Sequence, residues 1–156
     1  MSMSLKISTF SEGDVIDKKF TCDGANISPT VAWSDAPPGT KSFALIMDDP
    51  DAPLGTFVHW VVYNIDASLR ALVENQPNTP QTREGITQGE GGLGKVGYRG
   101  PCPPGKNPHR YLFHFYATRL EPKIQQGMNK KQLLRQLEGN VIEEITVTLK
   151  YGRNRS

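Results

Sequence analysis

Residues 48–53 read DDPDAP, and residues 97–111 read GYRGPCPPGKNPHRY. Each stretch joins a proline-rich loop to a strand pattern that carries a polar side chain on an apolar face. Proline fixes its own φ and restrains the residue before it, so such loops hold neighbouring side chains in place. Asp49 follows the alternating run 42–48, in phase with Phe43, Leu45 and Met47. His59 falls in phase with Phe57, Val61, Tyr63 and Ile65, and His109 and Tyr111 with Phe113 and Phe115. A carboxylate and two imidazoles on apolar strand faces are costly to bury unless they find partners. The simplest arrangement brings them together around a small pocket.

Working outward, 156 residues fit one domain, 1–156, with a single core. Eighteen basic residues against sixteen acidic ones give a net charge of +2, spread along the chain. That balance argues against a dedicated nucleic-acid binder, which would show a basic stripe interleaved with aromatics. Lys150, Arg153 and Arg155 read as a solvated basic tail. No stretch is long and apolar enough for a membrane span, and the opening MSMSLKIS lacks the apolar core of a signal peptide. The expected location is therefore the cytoplasm. The glycosylation patterns at Asn26 and Asn154 carry no weight in that setting.

Period-two patterning dominates, predicting half-buried strands over 5–9, 15–20, 30–34, 42–48, 58–65, 111–118 and 142–151. In the last of these Ile145, Val147, Leu149 and Tyr151 share a face, and Glu143 sits at its rim. Asn129 is a good N-cap for a helix through Leu133, Leu134 and Leu137 to about Glu138, ended by Gly139. A short helix is expected over 67–74. Pro37-Pro38-Gly39 reads as a turn. Residues 74–108 have little periodicity; the second half reads as a pocket wall and 75–89 as a surface excursion. The class is all-β, an antiparallel sandwich with a few peripheral helices.

Other motifs have plainer readings. The stretch 89–96, GEGGLGKV, satisfies GxGxxG and nearly a Walker loop. Val96 stands where Ser or Thr would hold Mg²⁺, and a proline loop follows where a helix is required, so nucleotide binding is rejected. His109 and His114 point to opposite faces of one strand and no metal-ligand spacing is present, so neither metal nor cofactor is expected. Asp48 and Asp51 read as turn formers, Asp51 capping backbone amides. Trp33 and Trp60 read as core. Arg99 and Arg110 could reach an anion, but Arg110 points away from the face of His109 and reads as a surface pair. Cys22 and Cys102 are expected as buried, neighbouring, reduced thiols.

DPDAP, His59-Trp60, GYRGPCPP and HRY, with CDGANISP at 22–29, resemble the phosphatidylethanolamine-binding protein family, also called Raf-kinase-inhibitor-like proteins. The compact length and the GPCPP form resemble its bacterial and archaeal branch. Relatives often carry Asn-Asp/Ser-Phe where this chain has Gly91-Gly92-Leu93. The resemblance implies a β-rich fold with a small pocket for phosphate-type anions, built here from Asp49, His59, Gly100, Pro101, Pro103, Pro104, His109 and Tyr111. It implies binding rather than catalysis, with a phosphorylated or anionic small molecule as ligand and a kinase or protease as partner. The alternatives are an acid–base hydrolase of small phosphate esters using Asp49, His59 and His109, or a protease inhibitor acting through the loop 75–89.

Overall fold

Strand β3 (Ser42–Asp49) is buried along its whole length, so the chain has to cover both of its faces. The structure is a computed structural model and describes residues 2–153; Asn154 and Arg155 lie outside them. β3 is the centre of a five-stranded antiparallel sheet of order β6-β4-β3-β7-β8. Its other strands are β4 (Phe57–Asp66), β6 (Thr87–Gln88), β7 (His109–Thr118) and β8 (Val141–Tyr151). A second antiparallel sheet, order β1-β2-β5, holds β1 (Ser4–Ile7), β2 (Val31–Ser34) and β5 (Ala71–Leu72).

The core lies between the two sheets. Phe43, Leu45 and Met47 of β3 meet Val31 and Trp33 of β2, Leu72 of β5 and Phe113 and Phe115 of β7. Trp33 anchors it, its ring 4.8 Å from Phe115 and 5.3 Å from Phe43, with its indole N–H donated to the Leu69 carbonyl. The opposite face of the large sheet presents Ala44, Ile46, Val61 and Tyr63 to Leu133 and Leu137 of helix α1 (Lys130–Leu137). The helix starts where the cap predicts. The Asn129 side chain accepts from the Gln132 amide, and the Gln132 side chain accepts from the Asn129 amide. Gly139 leaves it at φ 79°.

Three expectations fail for local reasons. Residues 15–20 form no strand: only Val15 bridges β8, and Asp17 then caps a single helical turn, Lys18–Phe20. No helix forms over 67–74, because Asp66 turns the chain by accepting from the Ser68 amide and β5 follows at once. The segment 75–89 is not a surface excursion in its second half. Thr87 and Gln88 are buried and pair with Tyr63 and Val62, and Gln88 accepts from the Trp60 indole at 2.8 Å. Arg153 is not simply solvated either, since its guanidinium pairs with Asp23 at 3.0 Å. Among the described residues no helix is long and apolar enough to cross a membrane.

Candidate functional site

His59 reaches the inner face because β4 carries one residue too many. Opposite β3, Phe57 pairs with Asp49 and Val58 with Asp48, but Trp60 pairs with Met47. His59 is therefore the extra residue of a β-bulge, a device that re-aims side chains beside functional sites. It corrects the simple phase argument. Phe57 and His59 face inward, whereas Val61 and Tyr63 lie on the outer face under α1. A second register shift, with Asn64 at φ 57°, returns Ile65 to the inner core.

On β3 and β7 the alternation holds. Asp49 is 3 % exposed and both of its oxygens are occupied: Oδ2 accepts from His109 Nδ1 at 2.7 Å and Oδ1 from the Asp51 amide at 2.8 Å. The DPDAP turn thus fixes the carboxylate, and the carboxylate fixes the His109 ring. Two residues on, Tyr111 lies 5.3 Å from His59 and 6.5 Å from His109, ring centre to ring centre. Its hydroxyl is buried against Asp49, which acts on it both by charge and as a hydrogen-bond partner, although the contact falls outside good hydrogen-bond geometry. Burial first, then the Asp49 charge, push the phenol above its ordinary range. His59 Nδ1 lies 2.6 Å from the Arg99 carbonyl. Burial holds this imidazole below its ordinary range, against the raising effects of that carbonyl and of Asp49.

The proline-rich loop forms the remaining wall, and the CDGANISP segment holds it from behind. Tyr98 donates to the Phe20 carbonyl at 2.7 Å and packs edge-on to Trp60. The Gly100 amide donates to Asn26 Oδ1 at 2.9 Å, and a Cβ at Gly100 would run into the Phe20 carbonyl and the Asn26 side chain. Only glycine allows that approach. The Cys22 amide donates to the Pro101 carbonyl at 3.1 Å, and Cys22 and Cys102 form a disulfide, Cα to Cα 5.4 Å. The thiols are neighbours as expected, but they are oxidised, and Cys102 is exposed with Cys22 half-buried. The two loops lie edge to edge at the surface, which brings the sulfurs together there rather than in the core.

These elements enclose a cavity of about 290 Å³ lined by Asp49, His59, Gly100, Pro103, Pro104, His109 and Tyr111. Pro101 does not line it; it is buried behind, where it receives Cys22. The sequence reading did not place Ala52, Pro53 or Phe57 there; Arg99, expected to be able to reach an anion, and Cys102, within the expected 100–104 loop, line it as well. Phe57 was legible from its phase with His59. Arg99 lies over Phe57, guanidinium carbon to ring centre 5.6 Å, and its Nη1 is buried with no hydrogen-bond partner. A larger hollow of about 630 Å³ lies on the far side of Phe57, between α1 and residues 90–93. Its lining residues carry no orphaned buried polar atom, whereas Arg99, which lines the smaller cavity, carries one at Nη1, and Tyr111 beside it has only a poorly aligned contact with Asp49. The smaller cavity is therefore the candidate site.

Asp48 departs from the turn former expected of it, whereas Asp51 sits in the turn after β3 and caps a backbone amide as expected. Asp48 is buried on the outer face, with Lys130 Nζ at 2.7 Å and His114 Nε2 at 3.2 Å. Asp51 does accept a backbone amide, that of Arg110, and it also takes the Arg110 guanidinium in a two-pronged pair at 2.9 and 3.0 Å. These bonds outweigh partial burial and hold its carboxyl at about 2.

Two antiparallel sheets closed over an aromatic core, with a strand-end cavity walled by a proline loop, define the class: a two-sheet β protein with a small pocket at the end of its central strands. The chain belongs to the phosphatidylethanolamine-binding protein family, whose profile matches residues 6–152. It is 45 % identical over 148 residues to a UPF0098 protein of Aquifex aeolicus, covering 94 % of this chain and 86 % of the relative. A UPF0098 protein of Methanothermobacter thermautotrophicus is 41 % identical over 151 residues, covering 97 % and 99 %. Among solved structures, the homologue CT736 of Chlamydia trachomatis superimposes with a TM-score of 0.89 at 35 % identity, covering 98 % and 99 %. YbcL of Escherichia coli, reported as a new member of the mammalian family, gives 0.88 at 31 %, covering 97 % and 99 %.

Proposed function

We propose that this cavity binds a small phosphate-type anion, held by Arg99, Tyr111, His59 and His109 within a frame set by Asp49, Gly100, Pro103 and Pro104. The observation that carries the reading is the buried Arg99 Nη1, a donor without an acceptor on a residue of this small cavity, beside a Tyr111 hydroxyl whose contact with Asp49 falls outside good hydrogen-bond geometry. Buried donors are nearly always satisfied, so an orphan at this site points to a missing acceptor. The volume suits a compact headgroup rather than an acyl chain.

Binding is favoured over hydrolysis because the residues lining the cavity include no serine or threonine, and Cys102 is tied up in the disulfide, so no side-chain nucleophile stands beside an imidazole. Modulation of a kinase or a protease, which the family resemblance implies, is left by this reading to whichever partner presents such a group. Location bears on the disulfide. An exposed disulfide persists in oxidising compartments and, in the cytosol, mainly in hyperthermophiles. A cytoplasmic location therefore carries the expectation that the pair is reduced there or that the host is one of these.

The test is an NMR titration with O-phosphoethanolamine. Resonances of His59, His109 and Tyr111 should move together with one dissociation constant on the order of 0.1–1 mM, since a small open anion offers few contacts. Movement confined to residues 89–95 would overturn the reading. Turnover of the ester, abolished by His109→Ala, would establish the hydrolase instead.

A further inference from the structure

The disulfide lies beside a second, basic hollow. Asp23 and Pro103, the residues that follow Cys22 and Cys102 in the chain, both line a hollow of about 710 Å³. Lys18, Lys106 and Arg153 line it with them, three cations against the one carboxylate of Asp23. That carboxylate is already engaged, by the Arg153 guanidinium at 3.0 Å and by the Tyr151 hydroxyl, which donates to it at 2.6 Å. Lys18 and Lys106 are exposed and form no salt bridge among the described residues. The hollow therefore carries a surplus of positive charge, and fixed charge of one sign gathers small molecules of the other.

The two sulfurs differ in access, Cys102 being exposed and Cys22 half-buried. Thiol–disulfide exchange runs through the sulfur that an incoming thiolate can reach, and exposed disulfides are the labile ones. The two loops are also joined without the sulfurs. The Cys22 amide donates to the Pro101 carbonyl at 3.1 Å, the Gly100 amide to Asn26 Oδ1 at 2.9 Å and the Tyr98 hydroxyl to the Phe20 carbonyl at 2.7 Å. Opening the bond leaves these contacts standing, so the exchange can run in both directions within the folded chain.

We propose that Cys102 is a thiol–disulfide exchange site for acidic low-molecular-weight thiols, drawn to it by Lys18 and Lys106. The incoming thiolate attacks Cys102 Sγ and forms a new S–S bond; the Cys22–Cys102 bond breaks, and Cys22 leaves as a thiolate that takes a proton from water. A second thiolate attacks the sulfur that the first one brought, and Cys102 leaves in the same way. Two thiols are oxidised to one symmetrical disulfide, and the protein's disulfide is reduced to two thiols. The site stands independently of any anion in the neighbouring cavity.

The test uses 3-mercaptopropionate, 2-mercaptoethanol and cysteamine, which share one carbon skeleton and end in a carboxylate, a hydroxyl and an ammonium. Each rate of reduction of the native oxidised protein is divided by that of the same thiol with 2-hydroxyethyl disulfide. This ratio cancels differences in thiolate fraction and nucleophilicity. At low ionic strength 3-mercaptopropionate should then exceed cysteamine by about tenfold, with 2-mercaptoethanol between them. The preference should fall to about twofold or less in about 1 M salt, where charges are screened within about 3 Å. The double variant Lys18→Gln, Lys106→Gln should remove it to the same extent at low salt. Acid quenching early in the reaction, followed by peptide mass mapping, should find the adduct on Cys102 and a free thiol at Cys22. Equal normalised rates in the parent overturn the proposal, as does a preference that survives the lysine substitutions or high salt. An adduct on Cys22, or a native bond that none of the three thiols opens, overturns it equally.

Discussion

Asp48 and Asp49 are adjacent on β3 and serve opposite faces of one sheet. Asp49 takes His109 on the inner face at 2.7 Å, and Asp48 takes Lys130 at 2.7 Å and His114 at 3.2 Å on the outer face. Each is 3 % exposed. Strand alternation alone separates them. The inner carboxylate orients a pocket imidazole, and the outer one fastens the first residue of α1 to the sheet. Two like side chains in sequence thus divide between a binding site and a tertiary tie.

Asp48→Asn should therefore cost stability and spare the pocket. Burial works to raise the Asp48 pKa, and the bonds from His114 and Lys130 outweigh it, so the carboxyl titrates below its ordinary value. Lys130 is 30 % exposed and recovers part of its hydration when the bond is lost. The expected loss is about 1–3 kcal/mol. Urea unfolding measures it, and methyl phosphate affinity should stay within about twofold of the parent, the sites being on opposite faces.

Asp49→Asn addresses the tautomer of His109. A carboxylate only accepts, so in the neutral ring the His109 proton sits on Nδ1, and His59 shares that tautomer through the Arg99 carbonyl. Long-range proton–nitrogen correlation should find both rings protonated on Nδ1 in alkaline solution. The substitution should release His109 alone to the Nε2 form. Should His59 change as well, the two rings would not be held independently.

The lowered His59 pKa has a sign for stability. Its folded value lies below the ordinary 6.5, so between those two values the unfolded chain binds more protons. The stabilisation is complete above about pH 6.5 and is lost as pH falls through the folded value. Unfolding free energies of the parent and of His59→Gln, measured from neutral to mildly acidic pH, should converge as pH falls. A constant difference across that range would mean that His59 titrates normally.

The disulfide predicts a thiol count and an energy. Cys22 and Cys102 are 80 residues apart in sequence. Closing a loop of that length lowers the entropy of the unfolded chain by an amount worth about 4 kcal/mol at room temperature. Reduced and oxidised protein should differ by up to that figure in urea unfolding. Cys102 is exposed, so dithiothreitol should reduce the bond in the native state. Free thiols in freshly isolated oxidised protein would contradict the bond.

Long patterns were legible in the chain, and short or non-local features were not. β3, β7 and β8 alternate over eight residues or more, β4 is as long though twice shifted in register, and the cap at Asn129 located α1. The segment 15–20 alternates too, but Asp17 turns it after a single bridge. β6 is two residues long and is recognised only through what it pairs with, which no local pattern carries. The residues of β3 and β7 that line the cavity were placed by strand phase together with the family resemblance. His59 was placed in the pocket, but the companions read from its phase were partly wrong, because a bulge is set by the partner strand. The oxidation state of Cys22 and Cys102 depends on two surfaces meeting across the fold, and spacing is silent about that.

Deleting His59 would leave Phe57, Val58 and Trp60 opposite Asp49, Asp48 and Met47 in unbroken order. The sheet would gain regularity by the loss. The residue is thus an addition that the strand pairing does not require, kept at the expense of a clean ladder, and its carbonyl and ring tie the loop at Arg99 to β4. Shortening the strand by one residue separates scaffold from use more sharply than any side-chain replacement, because it returns an orthodox sandwich with nothing facing the cavity from that position.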